Sequence, residues 1–196
     1  MVPLLIFANN FALLLIIKHN YCMPSNLFDY SLDFKQFDFR KNPELYRIGK
    51  GEQGVLLVEP YKSEILPYWK FRTEDIAETS SKKIFSLFES YLENKDFIGA
   101  DMSRKFLQMG FTRARRYANH KSGKKYESGA KKDDRAVYPF SSGSNNKNNI
   151  ILEQETDALT NEKARAAKIF KHYWFIAKDN PQYIKQKTEF KKTYYN

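Results

Sequence analysis

Basic side chains are concentrated in one stretch of this sequence, and their types suit phosphate binding. Residues 104–135 contain 11 lysines and arginines and three acidic side chains. Residues 1–103, by contrast, contain 12 lysines and arginines and 14 acidic side chains. Arginine binds phosphate oxygens in a bidentate geometry, and a local net charge of +8 attracts polyanions. The predicted nucleic-acid-binding residues are Arg104, Lys105, Arg113, Arg115, Arg116, His120, Lys121, Lys124, Lys125 and Tyr126.

A helix predicted over residues 99–118 positions the first of these side chains. At 100° per residue, one face is apolar, and the opposite face carries Lys105, Arg116 and His120, with Arg113 and Arg115 at its flanks. The residues on the apolar face are Phe106, Leu107, Gly110, Phe111, Ala114, Tyr117 and Ala118. The basic face is expected to point outward. Tyr117 and Tyr126 can add base stacking if the ligand is single-stranded. The alternative is a solvated face whose arginines pair with the acidic first half of the chain.

Three glycines offer a second way to bind phosphate. Gly49, Gly51 and Gly54 match G-x-G-x-x-G, but a dinucleotide-binding fold needs a helix after this motif. The next residues, VLLVEP, favour a strand instead. A β-turn is therefore the preferred interpretation, and phosphate binding by its backbone amides is the alternative.

Residues for nucleophilic or metal chemistry are sparse. His19, His120 and His172 lie far apart along the chain, and Cys22 is the single cysteine. No catalytic residue, metal ligand set or cofactor is predicted from them. One cysteine cannot form an intramolecular disulfide, which favours a reducing, cytoplasmic location. Paired carboxylates can bind Mg²⁺, so Asp29, Asp33 and Asp38 form the alternative metal-dependent site.

The remaining patterns predict an α+β fold in a single domain. Aromatic and apolar residues alternate with polar ones over residues 28–34, and VLLVEP follows the glycine-rich turn, which is typical of strands. We therefore expect a short N-terminal β-hairpin or small sheet packed against about four α-helices. The helices are predicted over about residues 74–94, 99–118, 161–178 and 181–194. Residues 121–149, rich in Gly, Ser, Asn and Lys, predict a mobile basic loop.

The first 22 residues differ from the rest. The apolar run over residues 2–17 is shorter than the roughly 20 residues that span a bilayer, and no basic residue precedes it as in a secretory signal. The preferred interpretation is that residues 1–22 are an apolar extension upstream of the true start at Met23, outside a domain at 23–196. A membrane anchor and a buried core helix are the alternatives. A membrane partner is expected only if the extension is retained.

Two long blocks carry a family resemblance: FDYSLDFKQFDFRKNPELYRIGKGEQGVLLVEPYKSEILPYWKFRT and RKFLQMGFTRARRYANHKSGKKY. They resemble the domain of unknown function 4385 family over about residues 27–126. A weaker resemblance continues around IFKHYW and DNPQY. The resemblance implies a domain that starts near Phe28, and it implies no activity.

The sequence therefore predicts a non-catalytic protein that binds nucleic acid or another polyanion through phosphate contacts. One alternative is a metal-dependent enzyme acting on nucleic acid or a phosphorylated metabolite. The other is a structural or interaction protein with no nucleic-acid role. The sequence leaves the oligomeric state and the choice between DNA and RNA open.

Overall fold

The computed structural model describes residues 28, 30, 32–127 and 149–195. Within them lie five α-helices and three single 3₁₀ turns. The helices are α1 (Tyr61–Ile65), α2 (Glu74–Glu93), α3 (Phe97–Asn119), α4 (Glu162–Asp179) and α5 (Pro181–Tyr194). The 3₁₀ turns are Pro43–Leu45, Leu66–Tyr68 and Lys121–Gly123.

The four predicted helices are confirmed as α2 to α5, and local capping explains where they begin. Thr73 Oγ1 accepts a hydrogen bond from Ile76 N at 3.3 Å, and Asn180 Oδ1 accepts one from Tyr183 N at 3.1 Å. Pro181 occupies the first position of α5, where its missing N–H costs nothing. The cap of α4 is Asn161, whose side chain accepts a hydrogen bond from Ala164 N.

The predicted α+β class is wrong, because no strand, hairpin or sheet occurs in the described part of the chain. Residues 55–60 (VLLVEP), predicted as a strand after the glycine-rich turn, form turns and a bend instead. Asp33, in the strand predicted over residues 28–34, stabilises a turn, since its Oδ1 accepts from Lys35 N, and Asp38 Oδ1 likewise accepts from Arg40 N. Such side-chain bonds compete with pairing between strands. The nearest approach to a sheet is one antiparallel bridge between Tyr126 and Ile151.

The aromatic residues that suggested strands pack as a row of rings instead. Phe28 stacks on Phe34 at 5.5 Å, and Phe34 stacks on Phe39 at 5.6 Å. The row continues through Tyr46, whose ring lies 6.0 Å from that of Phe190 in α5. Residues 32–58 are thus an irregular segment that covers the bundle with aromatic side chains.

Helix α3 is the central element, and α1, α2, α4 and α5 all pack against it. Its first half is enclosed on every side, because each residue from Phe97 to Leu107 is buried. The backbones of α3 and α4 come close at Gly110, where an added Cβ would lie 2.2 Å from the Phe170 ring.

Parts of two predictions lie outside the described residues. They are the apolar extension at residues 1–22 and positions 128–148 of the predicted mobile loop. Among the helices that the structure describes, none is both long enough and apolar enough to cross a membrane.

Candidate functional site

The predicted binding residues divide into a buried group, a half-buried group and an exposed group. Arg104 is 8% exposed, Lys105 is fully buried and His120 is 4% exposed. The predicted outward position of Lys105 and His120 is therefore wrong. The helical pattern assigned Lys105 to a free face, but the irregular segment and α5 cover that face of α3.

Asp101 is the centre of the buried group. Its carboxylate accepts hydrogen bonds from the hydroxyls of Tyr46 and Tyr183, the latter at 2.6 Å. Arg104 Nη2 lies 2.9 Å from Asp101 Oδ1, and Lys105 Nζ lies 3.4 Å from Oδ2. We call Tyr46, Asp101, Arg104, Lys105 and Tyr183 the buried charge cluster.

Charge in this cluster is not balanced one for one, since one carboxylate faces two cations. Burial lowers the pKa of Lys105 to about 8, although the Asp101 carboxylate opposes that change. Burial alone would raise the pKa of Asp101, but Arg104, Lys105 and the two hydroxyls outweigh it and hold the pKa well below its usual range. Arg104 and Lys105 are committed to this interior network and are closed to an outside ligand.

The glycine-rich turn lies directly over the buried charge cluster. Lys105 Nζ donates to Gln53 O at 2.8 Å, and Thr112 Oγ1 bonds to the Glu52 carboxylate. Gly51 and Gly54 have φ values of +58° and +81°, which only glycine adopts without strain. Gly49 is buried, and a Cβ there would meet Gln53. The turn thus holds the irregular segment on α3. Residues 55–60, directly after it, form turns and a bend rather than the helix that a dinucleotide-binding fold requires.

The exposed group lies at the end of α3 and in the 3₁₀ turn that follows it. Arg113, Lys121 and Lys124 are exposed. None of them forms an ion pair with a carboxylate within residues 32–127 and 149–195. We call these three residues the basic surface.

Arg115 and Arg116 are half-buried beside this surface and brace the backbone around it. Arg116 Nε donates to Gly123 O at 2.8 Å, which ties the 3₁₀ turn to α3. Arg115 Nη1 donates to Ala158 O at 3.0 Å, which ties the segment before α4 to the same helix. Both residues position the surface.

Lys125 and Tyr126 lie in the bridge to residues 150–152. Lys125 Nζ is 5.5 Å from the centroid of the Tyr126 ring, and Leu152 N donates to Lys125 O at 2.9 Å. We call residues 150–157 the strip. His120 contacts the strip from the interior of the protein, where its Nδ1 lies 3.3 Å from Glu153 O.

Acidic side chains also lie in this strip. Glu153, Glu155 and Asp157 are exposed, and Glu155 N donates to Asn119 O at 2.9 Å, so the strip runs along the end of α3. None of these carboxylates forms an ion pair with the basic surface in the described part of the chain. These carboxylates lower the local net positive charge, but they leave the cations of the basic surface without an ion pair in the described residues.

An exposed tyrosine lies beside the basic surface, on the same end of α3. Tyr117 is 43% exposed, and its ring centroid lies 5.8 Å from that of Phe71 in an edge-on arrangement. Lys163 Nζ lies 5.8 Å from the Phe71 centroid and donates to Phe71 O at 3.3 Å. Sequence reasoning missed Phe71, Arg72 and Lys163 because they are distant in the chain. The alternation of aromatic and basic residues in WKFR, residues 69–72, was the sequence signal that could have indicated them.

The carboxylates of the metal-site alternative do not converge. Asp33 and Asp38 each bond to their own turn, and Asp29 lies outside the described residues. No group of three His, Cys, Asp or Glu side chains in the described ranges is placed to hold a metal ion.

A groove of about 900 Å³ lies between α5 and the junction of α2 with α3. Its wall is an ion-pair network in which both Arg40 Nη atoms reach the Glu64 carboxylate, at 2.7 and 2.8 Å. Arg40 Nε also lies 3.3 Å from Asp96 Oδ2. The arginine of this wall is fully engaged by carboxylates, so the groove offers no free arginine to an anion.

A family model described as Domain of unknown function (DUF4385) matches residues 29–193. No curated protein and no solved structure matches the chain.

Proposed function

Because the chain belongs to the DUF4385 family, which is described as a domain of unknown function, we propose a function from its own surface. We propose that the chain is a non-catalytic nucleic-acid-binding protein whose phosphate contacts come from the basic surface. The observation that carries the proposal is that Arg113, Lys121 and Lys124 are exposed and form no ion pair with a described carboxylate. Unpaired exposed cations exchange counterions for phosphates on binding.

The bracing arginines support the proposal by pre-organising the surface. The Arg116 bond to Gly123 O holds the turn that carries Lys121 and Lys124 close to Arg113. Cations on a rigid element lose less conformational entropy on binding than cations on a loose loop. The chain's overall charge of +10 adds long-range attraction for a polyanion.

The test is a triple charge reversal, Arg113→Glu, Lys121→Glu and Lys124→Glu. These side chains make no hydrogen bond or ion pair with the described residues, so their replacement leaves the fold intact. Fluorescence anisotropy across salt concentrations measures the affinity for single-stranded and duplex oligonucleotides. Each phosphate contact contributes about 0.7 to the salt slope for a single strand and about 0.9 for duplex DNA. We therefore expect the triple variant to bind at least tenfold more weakly, with a slope smaller by about two.

The matched control reverses three exposed lysines elsewhere that form no ion pair with a described carboxylate: Lys35→Glu, Lys185→Glu and Lys192→Glu. Both triple variants change the net charge by the same amount, so a purely global attraction would weaken equally in both. We expect the control to lose much less affinity than the basic-surface variant. Equal losses, or no binding by the wild-type protein, would contradict the proposal.

A further inference from the structure

We infer that the nucleic acid is single-stranded and that one of its bases stacks on the Tyr117 ring. This inference rests on the proposed function and specifies its substrate class. Tyr117 lies one helical turn after Arg113 on α3, and Lys121 follows in the 3₁₀ turn. A ring with 43% of its residue surface exposed therefore lies, along the chain, between two exposed cations at this end of α3.

The tyrosine ring is held in place from behind. Gly123 packs against it, and a Cβ at that position would lie 2.9 to 3.0 Å from the ring carbons. Gly123 has φ of +69°, so glycine suits this position both in its backbone conformation and in its lack of a side chain. The edge contact with Phe71, at 61° between the ring planes, fixes the ring from a second direction. Tyr117 therefore presents a pre-oriented aromatic surface.

The ring of Phe71 is anchored to the core. Trp69 lies 5.0 Å from Phe71, and its Nε1 donates to Phe106 O at 3.1 Å. Phe71 is thus supported by a residue that is bonded to α3. We call Tyr117 and Phe71 the aromatic platform.

Cations surround the aromatic platform from two parts of the chain. Arg72 is exposed next to Phe71, and Lys163 of α4 donates to the backbone carbonyls of Phe71 and Arg72. Burial lowers the pKa of Lys163, and the neighbouring Arg72 charge acts in the same direction. Arg72 and Lys163 thus supply positive charge beside Phe71, while Arg113 and Lys121 supply it from the part of the chain that carries Tyr117.

This combination favours a single strand over a duplex. In a duplex both faces of each interior base are covered by neighbouring pairs, whereas an unpaired base can stack on an aromatic side chain while its phosphates contact cations. Stacking of this kind tolerates any base, so we expect binding to be weakly sequence-selective.

The test compares an oligothymidylate of about 15 nucleotides with a duplex of the same length, using Tyr117→Leu and Tyr117→Phe. Leucine keeps apolar bulk against Gly123 and Phe71 but removes the aromatic face, whereas phenylalanine keeps it. We expect the wild type to bind the single strand more tightly. Tyr117→Leu should weaken single-strand binding at least about fivefold and leave duplex binding unchanged. Tyr117→Phe should retain wild-type affinity.

Tyr68→Leu is the matched control, because Tyr68 is also 43% exposed and lies near a lysine, Lys83. The affinity of the Tyr68→Leu variant for the single strand should equal that of the wild type. An independent readout uses the unmodified protein: ultraviolet crosslinking to a bromodeoxyuridine strand should label Tyr117 or Phe71. This readout also decides the question if the leucine variant folds poorly.

The outcomes separate this inference from the proposed function. If Tyr117→Leu binds the single strand normally while the basic-surface variant does not, stacking is overturned and phosphate binding stands. Equal wild-type affinity for duplex and single strand also overturns the inference. If the wild type binds neither oligonucleotide, both proposals are contradicted.

Discussion

At the scale of single residues, the Asp101 carboxylate is the buried counter-charge for the basic side chains of Arg104 and Lys105. This carboxylate bonds to Arg104 and lies 3.4 Å from Lys105 Nζ, so two of the cations in the basic stretch compensate one buried acid. A buried ion pair stabilises only while both partners are present, because an unpaired buried charge is very costly. The buried charge cluster is therefore a structural network.

Asp101→Asn should destabilise the protein by about 3–5 kcal/mol, since it leaves Arg104 and Lys105 buried without a counter-charge. Urea unfolding measures the free energy of unfolding. Glu74→Gln is the control, because Glu74 pairs with Arg165 at the surface, where both side chains are about half exposed. Loss of that pair should cost less than about 1 kcal/mol. Similar losses for both variants would argue against the network.

The same variant should change how stability depends on pH. The folded-state pKa of Asp101 is lowered, so its contribution is present above the unfolded value of about 3.9 and is lost as pH falls toward the folded value. Wild-type stability should therefore fall more steeply than that of Asp101→Asn between about pH 5 and pH 2. Parallel acid profiles would mean that Asp101 is not paired in the folded protein.

At the scale of elements, the close approach of α3 and α4 depends on one small residue. Gly110 faces Phe170, and the nearest ring carbons would lie 2.2 to 2.6 Å from an added Cβ. Phe170 is fully buried and has little room to move. Helices α3 and α4 are thus fitted together by a glycine and an aromatic ring.

Gly110→Ala should lower the free energy of unfolding by about 1–3 kcal/mol, because overpacking outweighs the roughly 1 kcal/mol by which alanine favours a helix. Thermal and urea unfolding measure the loss. Adding Phe170→Leu to Gly110→Ala should recover part of it by making room. Ser86→Ala at an exposed position of α2 should change stability by less than about 0.5 kcal/mol. A stabilised Gly110→Ala protein would contradict the close packing.

At the scale of the whole molecule, aromatic contacts join the irregular segment to the last helix. The Tyr46 ring contacts Phe190, and Tyr195 Oη accepts a hydrogen bond from Ile48 N at 2.6 Å. Phe97 at the start of α3 also contacts Phe190, at 4.9 Å. Residues distant in the chain therefore share one core.

We expect these contacts to make unfolding a single cooperative transition. Circular dichroism at 222 nm follows the helices, and near-ultraviolet circular dichroism follows the packing of all the aromatic side chains, including those of the irregular segment and α5. The two urea transitions should coincide, as they do in two-state proteins. An earlier near-ultraviolet transition would show that aromatic packing is lost before the helices unfold, which would contradict a single cooperative transition.

Local chemistry in the sequence was sufficient to predict helices α2 to α5. Their apolar periodicity and caps such as Thr73 and Asn180 act within a few residues, so neighbouring residues contain the necessary information. The same holds for the exposed cations, since Arg113 lies in the last turns of α3 and Lys121 and Lys124 come soon after its end. The blocks around residues 28–73 and 104–126 were also sufficient to indicate the family.

Tertiary structure decided the rest, because burial depends on which elements surround a residue. The alternating aromatics of residues 28–34 resemble a strand, yet they stack on one another and on the bundle since no partner strand in the described residues pairs with them. Lys105 lies on a polar helical face that the irregular segment and α5 cover. The aromatic platform unites Tyr117 with Phe71 from another part of the chain, which no local pattern specifies.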